Sequence, residues 1–594
     1  CPIYIDTGAE RRLFITSIKH GLNLFIFNRL PLQSIMDRKH RLLYATILVI
    51  AVVIAYQPSL HNGFIWDDDL YVTKNLALRT FEGLKRIWTV RGATIQYYPV
   101  TFTSFWAEYQ LFGLDPAVFH ATNILLHAAN AILVWFLLEC LGLPWAWLAA
   151  ILFAVHPVNV ESVAWISERK NVLSGFFVLC SMLLLARLYL KESRQDSKER
   201  NGSKYRNAFI YIAALLFFIL ALLGKSVTCM MPLVFLILCW WKCGRLSLKN
   251  VTAMVPFLGA GIAAGINTLL FEKTLVGAHG PQWDLSLPER IIVAGRALWF
   301  YPYKLLLPAK LCFIYPKWQI NPSDWHQYLF PAAAIAVLLV LWSVKNRTGR
   351  GPFTVASAFA VTIFPALGFI NYYPMQFSFV ADHFQYLAQI PLLAGAAWLG
   401  FHLSGNKGHK PHLVVMLVVP ALLLSLCVKT RLEQEKYRDR EALWSDTIAK
   451  NPGCWMAYNN LGCIFANTGE TRKALPYFHK ALSIKPDYFD AANNLFAYYR
   501  NTRQYDKAIA LLHKLLRLRP DSAASIYYNL ACIHSLKGDK STALTYLQKA
   551  INRGFALWKL LRYDKDLENI RSTDYYKQLL KQLPKSAKAH KQTT

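Results

Sequence analysis

From residue 41 to residue 428, apolar stretches long enough to cross a bilayer alternate with short polar loops; beyond that the pattern stops. A spanning helix needs roughly 17 to 25 mainly apolar residues, fewer where aromatic belts or neighbouring helices help. Spans are predicted near 41–57, 118–139, 143–156, 171–190, 207–223, 226–241, 251–271, 328–344, 353–370, 383–403 and 412–428, about eleven in all. The apolar run 291–307 leads into "PAKLCFIYPKWQINPSDW", which has the character of an outer loop, so this run is expected to be re-entrant or interfacial.

From about residue 429 a different period takes over. "AYNNLGCIFANTGETRKALPYFHKALSIKPD" from Ala457, "AANNLFAYYRNTRQYDKAIALLHKLLRLRPD" from Ala491 and "IYYNLACIHSLKGDKSTALTYLQKAINRGF" from Ile526 are variants of one unit. Their Asn-Leu pairs begin at 460, 494 and 529, and Pro452, Pro486 and Pro520 recur every 34 residues. This is the tetratricopeptide (TPR) period, in which paired helices stack and bury a continuous core. The expected fold class is α: a polytopic helical membrane domain over 36–428, then a soluble α-helical TPR solenoid over 429–594. "MDRKHRLLYATILVI" from Met36 reads as a basic flank entering a span. Translation is expected to begin there, with residues 1–35 a peripheral or spurious extension.

Composition agrees with a membrane protein: 55% of the 594 residues are hydrophobic, 14% aromatic and only 17% charged. Lys plus Arg outnumber Asp plus Glu by 65 to 35, yet no basic arm with interleaved aromatics is present, and a nucleic-acid partner is not expected. The excess lies in short loops at 38–41, 191–206, 242–249, 345–350 and 405–410, which the positive-inside rule assigns to the cytoplasmic face. An odd number of spans then puts the TPR region outside. The eleven cysteines show no paired C-x-x-C spacing, so neither zinc nor a disulfide framework is expected.

The outward segments carry the candidate chemistry. "WDDDLY" sets Asp67, Asp68 and Asp69 just beyond the first span, beside Trp66 and Tyr71. A solvated acidic turn is the ordinary reading of one such carboxylate. Three adjacent ones at a bilayer edge repel one another and lose water, which raises at least one pKa toward that of a general base. "HPVNVESVAWISERKN" offers Glu161, Glu168, Arg169 and Lys170, "GKSVTCMMP" offers Lys225, and "FEKTLVGAHGPQWDLSLPERIIVAGR" ends in Arg296. Outer-face cations run against the positive-inside bias. They are either snorkelling anchors or ligands of an anionic headgroup. "ADHFQY" adds Asp382 and His383. A base for an acceptor hydroxyl and cations for a departing phosphate are what glycosyl transfer from a lipid phosphate requires.

"GFIWDDDLYVTKN", "YYPVTFTSFWAEYQLFGLDPAVFHATNILLHAANAILVW", "ILFAVHPVNVESVAWISERKNVLSG", "GKSVTCMMPLVFLILCWW" and "ADHFQYLAQIPLL" occur here in one order. In that order they resemble the transmembrane and TPR-containing O-mannosyltransferases and their bacterial relatives. That family is similar to the protein O-mannosyltransferases of the GT-C class, and the resemblance covers residues 41–580. It implies a GT-C membrane domain that transfers mannose or another hexose from a polyprenyl-phosphate carrier to protein Ser/Thr hydroxyls on the extracytoplasmic side. No cofactor is obligatory; the resemblance leaves room for an assisting divalent cation without expecting one. It implies catalysis by Asp67 and Asp68, with Asp69, Glu161, Asp382 and His383 auxiliary. Donor phosphate binding would fall to Arg169, Lys170, Lys225, Tyr98 and Arg296. Relatives often read Tyr-Arg-Pro where this chain has Tyr97-Tyr98-Pro99, and an arginine where it has His383, so hydrogen-bond donors stand in for two fixed charges. The implied location is a bacterial inner membrane with periplasmic TPR units, or an endoplasmic-reticulum membrane with lumenal ones in a eukaryote. The acceptor protein is the expected TPR partner. The alternative is a catalytically inactive, membrane-anchored TPR scaffold. A transporter is disfavoured, because charges at mid-bilayer depth are few.

Overall fold

The computed structural model describes residues 38–190, 200–280, 282–404 and 413–582, and every regular element among them is helical. The expectations for residues 1–35 and for the basic segments 191–199 and 405–410 lie outside the described residues. The chain divides into two units, 1–47 and 48–594. Of the first, only the helical 38–47 is described; the second carries the remaining helices.

Seven described helices are long and apolar enough to cross a bilayer: Lys39–His61, Pro116–Cys140, Ile166–Tyr189, Tyr205–Gly224, Ser226–Cys243, Leu248–Val276 and Trp325–Ser343. An eighth arises if Ala146–Val155 and Pro157–Ala164, bent by 55° at Pro157, form one crossing; proline has no N–H to continue the helical ladder. Three predicted spans take other forms. The 353–370 run is the shorter helix Gly351–Ala366, 383–403 is helical as Gln389–Leu403 only after short turns around His383, and 412–428 becomes Leu413–Glu433 with Pro420 inside. The interfacial candidate 291–307 is the amphipathic helix Leu287–Leu306. Ile50, Ile54, Ile212, Leu216, Leu339 and Val340 stand exposed on the spans. Water would not favour such apolar faces, whereas lipid does, and the protein is a membrane protein.

The helix Leu413–Glu433 runs through the boundary expected at 428/429. Three helix pairs follow: Trp455–Asn467 with Thr471–Ile484, Phe489–Asn501 with Tyr505–Leu518, and Ala523–Lys537 with Lys540–Asn552. They share a core of Phe478, Leu495, Leu512, Leu530 and Ile533. Pairing is close: a methyl group placed on Gly462 would stand 2.7 Å from the Phe478 ring. The array rests directly on the membrane domain. Trp455 meets Phe377 at 5.3 Å between ring centres, and the Asn451 Nδ2 donates to Ile314 O at 3.0 Å.

Candidate active site

After the first span the chain winds into a tight turn. The Asp68 N–H donates to Ile65 O, and the Leu70 and Tyr71 N–H groups both donate to Asp67 O, each at 2.9 Å. Trp66 has φ 42°, a left-handed conformation rare for a bulky side chain, and packs edge-on against Trp444 at 4.9 Å. Successive residues of a wound turn point about 100° apart. The three aspartates therefore face three ways.

Asp67 faces a cavity of about 790 Å³. Among the described residues no side chain or N–H donates to its carboxylate, and burial pushes its pKa up to about 6, with Lys170 and His383 pulling down and Glu168 pushing up. Asp68 is fully buried and accepts from Ile65 N at 2.9 Å, from Ser167 N at 2.8 Å and from the Ser167 hydroxyl. Burial still raises its pKa to about 7. It ties the acidic turn to the start of the Ile166–Tyr189 span. Asp69 is paired with Lys74 at 3.0 Å and with Arg440, the first residue of the helix that leads into the repeats. Burial would raise its pKa, but Lys74, Thr73 and Arg440 hold it below the usual carboxylate range.

Opposite Asp67, Glu168 joins two lysines. Its Oε1 lies 2.9 Å from Lys170 Nζ and its Oε2 3.1 Å from Lys225 Nζ, and it accepts from Asn171 Nδ2 at 2.6 Å. Lys170 donates to the Tyr71 hydroxyl at 3.2 Å, Tyr71 to Gln96, and Gln96 to Glu272 at 3.0 Å. Lys225 also donates to Asn171 Oδ1 at 2.7 Å, and burial lowers its pKa to about 8 against the pull of Glu168. Tyr98 lines the same cavity. Burial raises its pKa to about 12, so it is a neutral hydroxyl at pH 7. His383 lies between two carboxylates, its Nδ1 3.1 Å from Glu161 and its Nε2 3.9 Å from Glu168.

One further wall is apolar, with Leu269, Leu275, Val276, Pro365 and Ile370. A neighbouring cavity of about 250 Å³, lined by Ile219, Leu222, Leu223, Ala260 and Ala264, shares Ser226 and Thr268 with the first. The remaining wall belongs to the first TPR helix, through Asn460, Cys463, Ile464 and Asn467. A carboxylate, paired ammonium groups and an apolar wall thus meet in one chamber, closed on one side by the first helix of the repeat array.

Tetratricopeptide-repeat family models match residues 455–488 and 487–553. Over the longer stretch, a protein O-mannosyl-transferase of Caenorhabditis elegans is 24% identical across 463 residues, 74% of this chain and 63% of that protein. One from Drosophila melanogaster is 23% identical across 528 residues, covering 76% and 56%, and a human one is 24% identical across 485, covering 72% and 64%. The chain carries tetratricopeptide repeats and, over about three-quarters of its length, is similar to proteins named protein O-mannosyl-transferases. It spans about three-fifths of the length of these curated relatives.

The positions carried over from the O-mannosyltransferase-like motifs divide into two sets. Asp67, Asp69, Tyr98, Lys170, Lys225 and His383 line the cavity. Arg169 does not. It is wholly buried, with NH1 on Glu108 at 2.9 Å and Ser104 at 3.3 Å, NH2 on Phe119 O at 2.8 Å, and Nε on Asn123. Its donors are consumed inside the bundle, so the expectation that it holds a phosphate is corrected to a packing role. Helical rotation explains this, since Arg169 and Lys170 are neighbours in sequence and point about 100° apart. Arg296 is corrected likewise: it stacks on Trp318 at 4.6 Å, away from the cavity. Asp68 and Asp382 are buried behind the cavity wall. Asp382 accepts from Tyr315 at 2.9 Å, and burial together with Glu161 raises its pKa to about 8. Glu161 accepts from the His383 N–H at 3.0 Å and so positions that histidine. Glu168, Asn171, Gln96 and Glu272 were given no role by the motifs. For Glu168 the available signal was an acid two residues before Lys170.

Proposed function

We propose that the protein is a glycosyltransferase that moves mannose from a polyprenyl-phosphate carrier to serine or threonine hydroxyls of a protein, on the side of the membrane that bears the TPR array. The observation that carries this reading is the pairing, across one cavity, of the Asp67 carboxylate, which accepts no hydrogen bond among the described residues, with the Lys170–Glu168–Lys225 cluster. Two ammonium groups on one carboxylate leave a surplus positive charge for a phosphate. The apolar wall and the adjoining small cavity suit the first units of a polyprenyl chain.

In the transfer, Asp67 takes the proton of the acceptor hydroxyl as its oxygen bonds to the anomeric carbon. The bond from that carbon to the phosphate oxygen breaks, and its electron pair leaves on the phosphate, where Lys170 and Lys225 stabilise it. The products are the glycosylated protein, the polyprenyl phosphate and protonated Asp67. Asp68 positions Asp67 by pinning the turn, and the Tyr98 hydroxyl supplies a neutral hydrogen bond. The names of the relatives support mannose as the sugar. A divalent cation has no required part in this scheme.

The test is transfer by the purified chain in lipid nanodiscs from synthetic polyprenyl-phosphate mannose to serine-containing peptides, with GDP-mannose alone as the control. Transfer from the lipid-linked donor is expected, and none from the nucleotide sugar. An inactive TPR scaffold is the competing reading, favoured by the way Glu168 already occupies both lysines. It predicts no transfer from either donor.

A further inference from the structure

The transfer step leaves Glu272 without a part. This residue stands near the end of the 29-residue apolar helix Leu248–Val276, where the α-helix stops at Phe271 and a single π-turn, Glu272–Val276, follows. It is buried and lines the cavity among Leu269, Leu275 and Val276 of the apolar wall. An anion is disfavoured there for two reasons: it has lost water, and the C-terminal end of a helix carries partial negative charge. Ionisable groups within membrane spans mark functional sites by default, and π-turns are frequent at such sites.

Two neutral donors reach the Glu272 carboxylate among the described residues. Gln96 Nε2 donates to Oε1 at 3.0 Å and the Tyr373 N–H donates to Oε2 at 3.1 Å. An ionised carboxylate offers about four acceptor sites, so each oxygen keeps capacity for one more hydrogen bond. The hydrogen bonds behind Gln96 run in one direction, from Lys170 to the Tyr71 hydroxyl, from Tyr71 to Gln96 and from Gln96 to Glu272. They hold the Gln96 amide with its nitrogen toward Glu272 and tie this carboxylate to a lysine of the phosphate cluster.

We propose that Glu272 reads the donor sugar, accepting hydrogen bonds from two neighbouring ring hydroxyls and so selecting the hexose that is transferred. The inference rests on the transferase reading and names what recognises its sugar. Lysines on the phosphate fix only the anomeric end of the donor and are blind to the rest of the ring. The remaining hydroxyls are donors that need acceptors once they leave water. Ammonium groups offer none, and neither does the apolar wall. Glu272 supplies two oxygens in one plane, which suit a pair of adjacent hydroxyls, each through a charge-assisted hydrogen bond. A hydrocarbon chain lying against it would leave that acceptor capacity unused, so the occupant at this point of the wall is the polar sugar.

The experiment uses the full chain in nanodiscs, a serine-containing peptide, and polyprenyl-phosphate mannose beside its 2-, 3-, 4- and 6-deoxy analogues. In wild type, kcat/KM is expected to fall about tenfold or more for two analogues that lack adjacent hydroxyls, the scale of a lost hydrogen bond to a charged group, and to change little for the others. Glu272→Gln should impose a similar loss on mannose itself and add little on those two analogues, because the same contact is then deleted from either side. Glu272→Asp, which keeps the charge and withdraws it by one methylene, enters the same comparison, with melting midpoints recorded for both variants. A purely structural role lowers every donor alike. Equal losses across all the donors, unfolding of both variants, or a wild type indifferent to every deoxy analogue overturns the inference and leaves the transferase reading standing. Failure of wild type to transfer from polyprenyl-phosphate mannose overturns that reading and the inference with it.

Discussion

Replacing Asp67 by Asn keeps the size and shape of the side chain and removes its capacity to take a proton. With its pKa raised to about 6, about nine-tenths of Asp67 is ionised at pH 7 in the wild type. The lost function is therefore that of a base already in its working form. General-base catalysis contributes about 100- to 10,000-fold, so Asp67→Asn should lower kcat by that factor, about 2.7 to 5.5 kcal/mol in barrier. Because no hydrogen bond reaches the Asp67 carboxylate among the described residues, the donor KM and the thermal midpoint should hardly move. Asp68→Asn is the contrasting case. Its carboxylate serves Ile65 N, Ser167 N and the Ser167 hydroxyl, and an amide nitrogen cannot accept. At least one buried donor is stranded, at about 1 to 3 kcal/mol, which should lower the melting midpoint and disturb kcat and KM together. The assay is single-turnover transfer of radiolabelled mannose to a peptide, with thermal unfolding measured on the same preparations. A kcat for Asp67→Asn within tenfold of wild type, alongside a stable but inactive Asp68→Asn, would refute the assignment and exchange the two roles.

Lys170→Ala and Lys225→Ala should each raise the donor KM about 10- to 150-fold, the scale of a lost charge-assisted hydrogen bond of about 1.5 to 3 kcal/mol; an unchanged KM in both returns them to membrane anchoring. Arg169→Ala strands Glu108 in the interior and should cost about 3 to 5 kcal/mol of stability, visible as lost expression or a lowered melting midpoint; a well-folded variant with only weakened donor binding would return Arg169 to the donor phosphate. Turnover at low substrate should rise with pH through about 6, as Asp67 loses its proton, and fall above about 8, as Lys225 loses its charge. Lys225→Arg should lack the alkaline fall, and a wild-type profile flat to pH 10 contradicts the lysine assignment. Treatment with EDTA should leave transfer unchanged because lysines meet the phosphate charge, whereas activity lost to EDTA and restored by magnesium or manganese would give the acidic turn to a metal.

The membrane class, the TPR period and the residue types of the site were all legible in the sequence, because each is written in local pattern. Apolar runs measure themselves against bilayer thickness, repeats recur at a fixed interval, and the loops between the apolar runs advertise charges that a membrane edge does not tolerate without cause. What the linear pattern cannot carry is direction. "DDD" reads as three equivalent acids, yet a wound turn sends Asp67 into a cavity, Asp68 onto Ser167 and Asp69 onto Arg440. "ERK" reads as one polar cluster, yet helical rotation places Glu168 and Lys170 at the cavity while Arg169 is spent on Glu108 and Asn123. The start of the span predicted at 383–403 escapes the linear pattern for a related reason: the polar turn Asp382–Gln385 runs straight into an apolar stretch, and only the fold shows that the helix begins at Gln389. The meeting of Lys225 with Glu168, and of Asn460 with the acidic turn's chamber, joins segments far apart in the chain. Such contacts arise only when helices pack, since packing alone decides which of many buried faces come together and which side chains are left unpaired for chemistry.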